Sequence, residues 1–253
     1  MKAMVLRALA CMVAAMGLGT SMASASPIPV NISYNFTSGS LPAGNVYSNG
    51  VISPNPHGLT APTLTAGVSA TPNLFGLSVT PGSVALTPSA QGLGIKYSGS
   101  LFGFIPANDT NPGNIDRIGA VETLGLTLGA ASPHLSNFKL ASITLGNIAN
   151  GLLIDDDVML TVNGVDYLID PISNPWFDFE LGQMVTYDLS SLNIAINPGD
   201  TISVWAPGAN DDFTVAGISF SALSTPEPGS LAVWSMLAIG GLLYRRRRLA
   251  ARA

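Results

Sequence analysis

The sequence predicts an all-β fold, a single jelly-roll-like β-sandwich, and three observations carry that prediction. The stretch between the two termini is rich in Gly, Pro, Ser, Thr and Asn and has no helical periodicity of useful length. Apolar residues instead alternate with polar ones in short runs, the pattern of strands with one buried face. Turn residues separate these runs at intervals that suit a sandwich or barrel rather than strand–helix–strand units. No repeat of about 20–50 residues is evident, so neither a solenoid nor a propeller is expected.

Taken in order, "VNISYNF" places Ile32, Tyr34 and Phe36 on one face of a first strand. From Leu41 to Gly82 the prolines at 42, 54, 56, 62, 72 and 81 cut the chain into pieces too short for central strands. Long loops and edge strands are expected there, because proline cannot donate to a ladder. "ETLGLTL" aligns Leu124, Leu126 and Leu128. In "DVMLTVNGVDYLID", Asn163-Gly164 predicts a two-residue type I′ turn between strands Val158–Val162 and Val165–Ile169. "LNIAI" reads as a further strand with Leu192, Ile194 and Ile196 inward, "INPGD" as a turn, and "DTISVW" as a strand that buries Ile202 and Val204.

The termini differ from this body. Lys2 and Arg7 precede an apolar stretch from Ala8 to about Leu18, and Ala23-Ser24-Ala25 offers a small-x-small cleavage site. Residues 1–25 are therefore expected to be a secretory signal peptide, recognised by the Sec translocon and signal peptidase. Cleavage there removes Cys11, the one cysteine of the chain, so disulfides and thiolate chemistry are not expected in the mature protein. Residues 26–225 remain as one extracytoplasmic domain of about 200 residues, long enough to bury a core.

The 26–225 body holds 14 acids against Lys96, Arg117 and Lys139, a net charge of −11. Nucleic-acid binding needs a basic footprint and is not expected. Solubility outside the cell and affinity for divalent cations both fit.

The C-terminal segment, residues 226–253, has three parts in order. Pro226-Glu227-Pro228 is rigid and extended, the backbone form that a protease or transpeptidase reads. Ser230–Tyr244 is apolar but would span only about 22 Å as a helix, short of a hydrocarbon core of about 30 Å. Arg245, Arg246, Arg247 and Arg248 then form a cytoplasmic stop by the positive-inside rule, and their stems extend the short span by snorkelling. A span that brief suits a temporary hold with the body outside.

This order of tripeptide, short single helix and arginine cluster resembles the PEP-CTERM sorting signal. The resemblance covers Pro226 to about Arg248. It implies an exported bacterial protein processed near the tripeptide by the membrane enzyme exosortase and associated with exopolysaccharide. The body, through "GLGI", "NIDRIGAVETLGLTL" and "DDFTVAGISFSAL", resembles the β-rich extracellular domains that precede such signals. The expected location is the inner membrane in passing, then the cell surface or extracellular matrix. An ordinary tail anchor is the alternative.

Candidate chemistry in the body is sparse. Asp155, Asp156 and Asp157 form the densest acidic cluster and are the candidate ligands for a structural Ca2+, which takes six to eight oxygens at about 2.3–2.6 Å. As a plain alternative they form a solvated loop before the Val158 strand. "NDTNPGNID" (108–116) and Asp211-Asp212 are similar oxygen-rich loops, and a calcium site follows if two of the three meet. His57 and His134 lack a zinc-ligand spacing, and no Gly-x-Ser-x-Gly elbow marks a serine nucleophile. Asp178 and Glu180 share one face of a strand about 7 Å apart, within glycosidase reach, although side by side rather than flanking a substrate. Trp176 and Trp205, with Phe177 and Tyr187, are candidates for a surface on which sugar rings stack. A non-enzymatic surface or matrix protein is thus the expectation, with a carbohydrate-binding module as its alternative and a polysaccharide hydrolase third.

Overall fold

The computed structural model describes residues 26–37, 39–55, 58–72, 79–101, 105–108, 114–116, 120–148, 150–151, 154–169, 183–208, 211–225 and residue 240. Pro29–Ser224 is a compact unit of its own. The expected signal peptide lies outside the described residues, as does the tail apart from Gly240. Among the described residues no helix is long and apolar enough to cross a membrane.

The strands are β1 (Ile28–Asn35), β2 (Val46–Tyr47), β3 (Val51–Ser53), β4 (Leu64–Pro72), β5 (Val79–Ser89), β6 (Gly92–Leu101), β7 (Ile105–Asn108) and β8 (Ala120–Leu128). They continue as β9 (Leu135–Ile148), β10 (Asn150–Gly151), β11 (Ile154–Asp155), β12 (Val158–Val162), β13 (Val165–Ile169), β14 (Gln183–Asp188), β15 (Thr201–Trp205) and β16 (Thr214–Ser224).

Two antiparallel sheets share one core, so the fold is an all-β sandwich. Sheet I runs β14-β9-β16-β1-β3, with β6 joining β16 and carrying β5 and β7. Sheet II runs β13-β12-β15-β8-β4-β2, and β10 pairs with β11 as a separate ribbon. The chain changes sheet from β8 to β9 and again at each step along β13, β14, β15 and β16. Successive strands therefore face each other across the core.

Alternation explains which side chains meet there. Ile32, Tyr34 and Phe36 from sheet I and Leu124, Leu126 and Leu128 from sheet II belong to one cluster of buried residues. Tyr34 and Phe220 meet at 6.2 Å and Phe36 and Tyr47 at 4.7 Å, both in the edge-to-face geometry that aromatic quadrupoles favour. Burial pushes the Tyr47 phenol up to about 12 and raises the Tyr34 phenol further, since the charged form would lose its water.

The predicted hairpin is present. Val162 pairs with Val165, and Asn163 and Gly164 adopt φ of 52° and 77°, the two positive values that a type I′ turn requires. Gly199 at φ 95° likewise closes the "INPGD" turn.

Two sequence expectations are corrected. The segment from Leu41 to Gly82 contains more than loops and edges: β4 is nine residues long and is paired on both sides, by β2 and β8. Pro62 precedes it and Pro72 ends it, so the interior is free of proline. "LNIAI" is not a strand. Ser190–Leu192 is a 3₁₀ turn, Asn193 is left-handed, and Leu192 is exposed, while Ile194 and Ile196 are buried around a single bridge from Ala195 to Lys139.

Candidate functional site

The three acidic segments singled out by sequence do converge. Ile115 bridges Phe213 in both directions, which sets Asp116 beside the 211–212 segment. The Asp212 N–H donates to Asp156 Oδ1 at 3.1 Å, joining the Asp155–Asp157 triplet to the same place. Asp116, Asp156 and Asp211 are buried, and so is Glu122 on the inward row of β8. The solvated-loop alternative for the triplet is therefore wrong at its centre: Asp156 is fully buried because its carboxylate receives a backbone donor from a segment 56 residues later. Asp157 is half-buried, and the side chain of Asp155 lies outside the described residues.

Three carboxylates of this cluster, those of Asp156, Glu122 and Asp211, accept from the backbone. Glu122 Oε2 accepts from the Asp116 N–H at 3.2 Å, and Asp211 Oδ2 accepts from the Gly208 N–H. A buried carboxylate is tolerable when such donors replace its water. Among the described residues no group of three or more His, Cys, Asp or Glu is arranged to hold a metal ion. These acids tie loops together. Glu122 and Asp116 were missed as a structural pair by sequence reading, although Glu122 falls in step with Leu124, Leu126 and Leu128.

The aromatic candidates separate. Trp176 lies outside the described residues, as do Phe177, Asp178, Glu180 and His57. Tyr187 packs partly buried against the core from sheet I, opposite Ile143. Trp205 belongs to the outward row of β15 in sheet II, because Ile202 and Val204 take the inward row. Tyr187 and Trp205 therefore share no stacking surface. His134 sits in the turn before β9, its N–H donating to Ser132 Oγ at 3.4 Å.

The outer face of sheet II has a definite layout, fixed by the pairing. One row across the sheet is Leu168, Met159, Trp205, Thr123 and Ser69. The next is Asp166, Thr161, Ser203, Gly125 and Gly67, and beyond it lie Thr201, Thr127 and Thr65. Trp205 Nε1–H donates to Thr161 Oγ1 at 3.0 Å, and Thr161 Oγ1 in turn donates to Asp166 Oδ1 at 2.6 Å. The relay holds the half-buried indole leaning over β12. On the other side of β15 from β12, Gly125 and Gly67 stand opposite each other. A side chain built on Gly67 would meet nothing within 4 Å.

Among the described residues, two clefts lie against sheet I. One of about 640 Å³ is lined by the start of β9, the end of β16 and the 195–198 loop, with Lys139 Nζ held by Asn193 Oδ1 at 2.6 Å. The other, about 540 Å³, has a mixed lining that includes Asn35, Thr37, Asn49 and Thr144 with Val51 and Met184 around Gly217.

Fold and site together define an acidic two-sheet β-sandwich with buried carboxylates that staple its loops. No protein-family model matches the chain, and no curated protein is similar to it. Among solved structures it is similar to the exo-β-1,3-galactanase of Phanerochaete chrysosporium with galactose, at a TM-score of 0.27 and 14% identity over 63% of this chain and 29% of that one. A variant of that enzyme with β-1,3-galactotriose gives 0.27 and 15% over 56% and 26%. The chain spans under a third of either enzyme, and likeness of this extent carries no argument.

Proposed function

We propose that this is an exported bacterial surface or matrix protein whose sandwich is non-enzymatic and associates with exopolysaccharide, and whose C-terminal segment is an exosortase sorting signal. One observation supports the division of labour. β16 closes sheet I at Ser224, which pairs with Leu135, and the Pro226-Glu227-Pro228 tripeptide begins two residues later. A cut at the tripeptide would remove none of the described strands. Replacing Pro226, Glu227 and Pro228 together with alanine is expected to trap the protein in the membrane fraction at the mass of the uncut tail. Unchanged fractionation with an unchanged C-terminal mass refutes the sorting signal.

A second reading, a carbohydrate-binding module with or without structural calcium, is favoured by the outward placement and hydrogen-bond relay of Trp205. A glycan array run with Ca2+ and with chelator tests it. Silence under both conditions removes the module, and equal signals remove the calcium.

A further inference from the structure

We infer that β16 and its neighbours in sheet I form a clamp that carries tension applied through the C-terminal segment. The inference rests on the reading of the chain as a surface protein, held by its C-terminal end while its body is pulled. The topology sets the geometry. β16 is an inner strand of sheet I, between β9 and β1. It pairs antiparallel with β9 at nine positions, from Thr214 opposite Gly146 to Ser224 opposite Leu135. β1 runs antiparallel on the other flank. There the Phe36 N–H donates to the Ala216 carbonyl at 2.8 Å, and further along Pro29 lines one cleft with Ala222 and Leu223. The end of β16 at Ser224 is therefore also the end at which β1 begins. The opposite end of β16 lies about 33 Å away, at roughly 3.3 Å per residue. It abuts the turn between β5 and β6, where Thr214 Oγ1 donates to the Gln91 carbonyl at 2.8 Å.

Force on the C-terminal side of Ser224 draws β16 along its own axis, parallel to the strands. Ladder hydrogen bonds lie perpendicular to antiparallel strands, so this pull shears the bonds on both flanks of β16 together, and none gives way alone. Sliding is opposed as well. A slip of one residue would turn the buried Ile218, Phe220 and Ala222 to the outer face. The three register shifts between β16 and β9 act as teeth, because each extra residue fits one place in the partner and a slide displaces all three at once. Side chains join the strands on both flanks: the Ser219 and Ser142 hydroxyls meet at 2.6 Å, and Phe220 meets Tyr34 at 6.2 Å. A pull between the two termini loads the same sheet differently. It draws the start of β1 and the end of β16 apart across the sheet, so their bonds open one by one from that end. The sandwich resists a load on its far end and yields to one on its N-terminus. That asymmetry suits a chain held by its C-terminal end and pulled on its body.

The test is single-molecule force spectroscopy of the full-length protein, with Cys11→Ser so that no native thiol competes for the handles. One handle is fixed at the C-terminus. The other is attached at the N-terminus or at Ala90→Cys, an exposed position in the far turn. Unfolding under force follows the unfolding rate rather than equilibrium stability, so both geometries are read as rupture force at one loading rate. The Ala90 geometry should rupture at a force at least about twofold higher, because its bonds share the load. Equal forces, or a higher force between the termini, overturn the clamp and leave the sorting signal standing. Ser142→Ala with Ser219→Ala removes a bond on the β9 flank alone. It should lower the force in the Ala90 geometry and leave the terminal geometry unchanged. An unchanged force in the Ala90 geometry places the resistance outside β16 and overturns the proposal. Native protein found entirely free in the medium removes the load, and with it the clamp's use, whatever the forces.

Discussion

The two sheets bury similar inner faces and present different outer ones. Sheet I is irregular: its pairing shifts within β14–β9, three times within β16–β9, and once within β5–β6. Each shift inserts a bulge, which bends and twists a sheet. Its outward hydroxyls satisfy one another, Ser142 with Ser219 at 2.6 Å and Thr144 with Thr186 at 2.9 Å. Sheet II keeps one register through β13, β12, β15, β8 and β4. An unshifted sheet keeps its outward rows straight across five strands, and one such row contains two adjacent glycines. Both outer faces pair their hydroxyls, Thr127 with Thr201 in sheet II as well, so the comparison separates a bulged sheet from one whose rows run straight.

The largest effect should erase the difference. Leu145 of sheet I and Leu126 of sheet II are both fully buried in one cluster. Truncating either to alanine should cost about 2–5 kcal/mol through lost transfer energy and an unfilled cavity. Both variants should unfold in a single transition by chemical denaturation. Two separate transitions in either would show that the sheets are not one cooperative unit.

Next in size is the contrast between glycines. Gly217→Ala in sheet I forces a methyl against the Tyr34 carbonyl and should cost about 1–3 kcal/mol, the range for overpacking. The same substitution at Gly67 in sheet II meets no atom and should stabilise by about 0.5–1 kcal/mol, the entropy that glycine loses on folding. Opposite signs sharpen the comparison between the sheets. A loss of stability at Gly67 would break it, because that glycine would then be serving the fold.

Much of this architecture is legible in the sequence where the signal is local. Alternation in "ETLGLTL" gives the inward row of β8, Asn163-Gly164 gives the hairpin and its turn, and "DTISVW" implies that Trp205 points outward once Ile202 and Val204 point in. β4 is hidden because Ala66 and Gly67 dilute its alternation and the prolines around it dominate the reading. "LNIAI" misleads because alternation continues through a turn in which Asn193 is left-handed. The burial of Asp156 and the Gly125–Gly67 pair depend on partners far away in sequence. A carboxylate's donor or a glycine's opposite number is set by register between distant strands, which no single run of residues encodes.

The smallest expected effect concerns the carboxylates that finish each sheet. Asp188, at the end of β14 in sheet I, is lowered below the usual carboxylate range by the Ser190 hydroxyl and then the Ser190 N–H, both two residues away. Asp200, just before β15 in sheet II, is lowered first by the Asn197 N–H and then by the Asn163 amide, which reaches it across 37 residues. In both, folding favours the charged form, so the stabilising contribution is present above the unfolded carboxylate value of about 4 and disappears as pH falls through the lower folded value. The two differ in what they hold: Asp188 secures a local turn, whereas Asp200 ties the β12–β13 hairpin to the turn that leads into β15. Thermal midpoints followed downward from about pH 5 should therefore fall less steeply in Asp200→Ala than in the wild type, with a smaller change of slope in Asp188→Ala. Equal slopes in the wild type and Asp200→Ala would show that the tie between the two turns contributes nothing to acid stability.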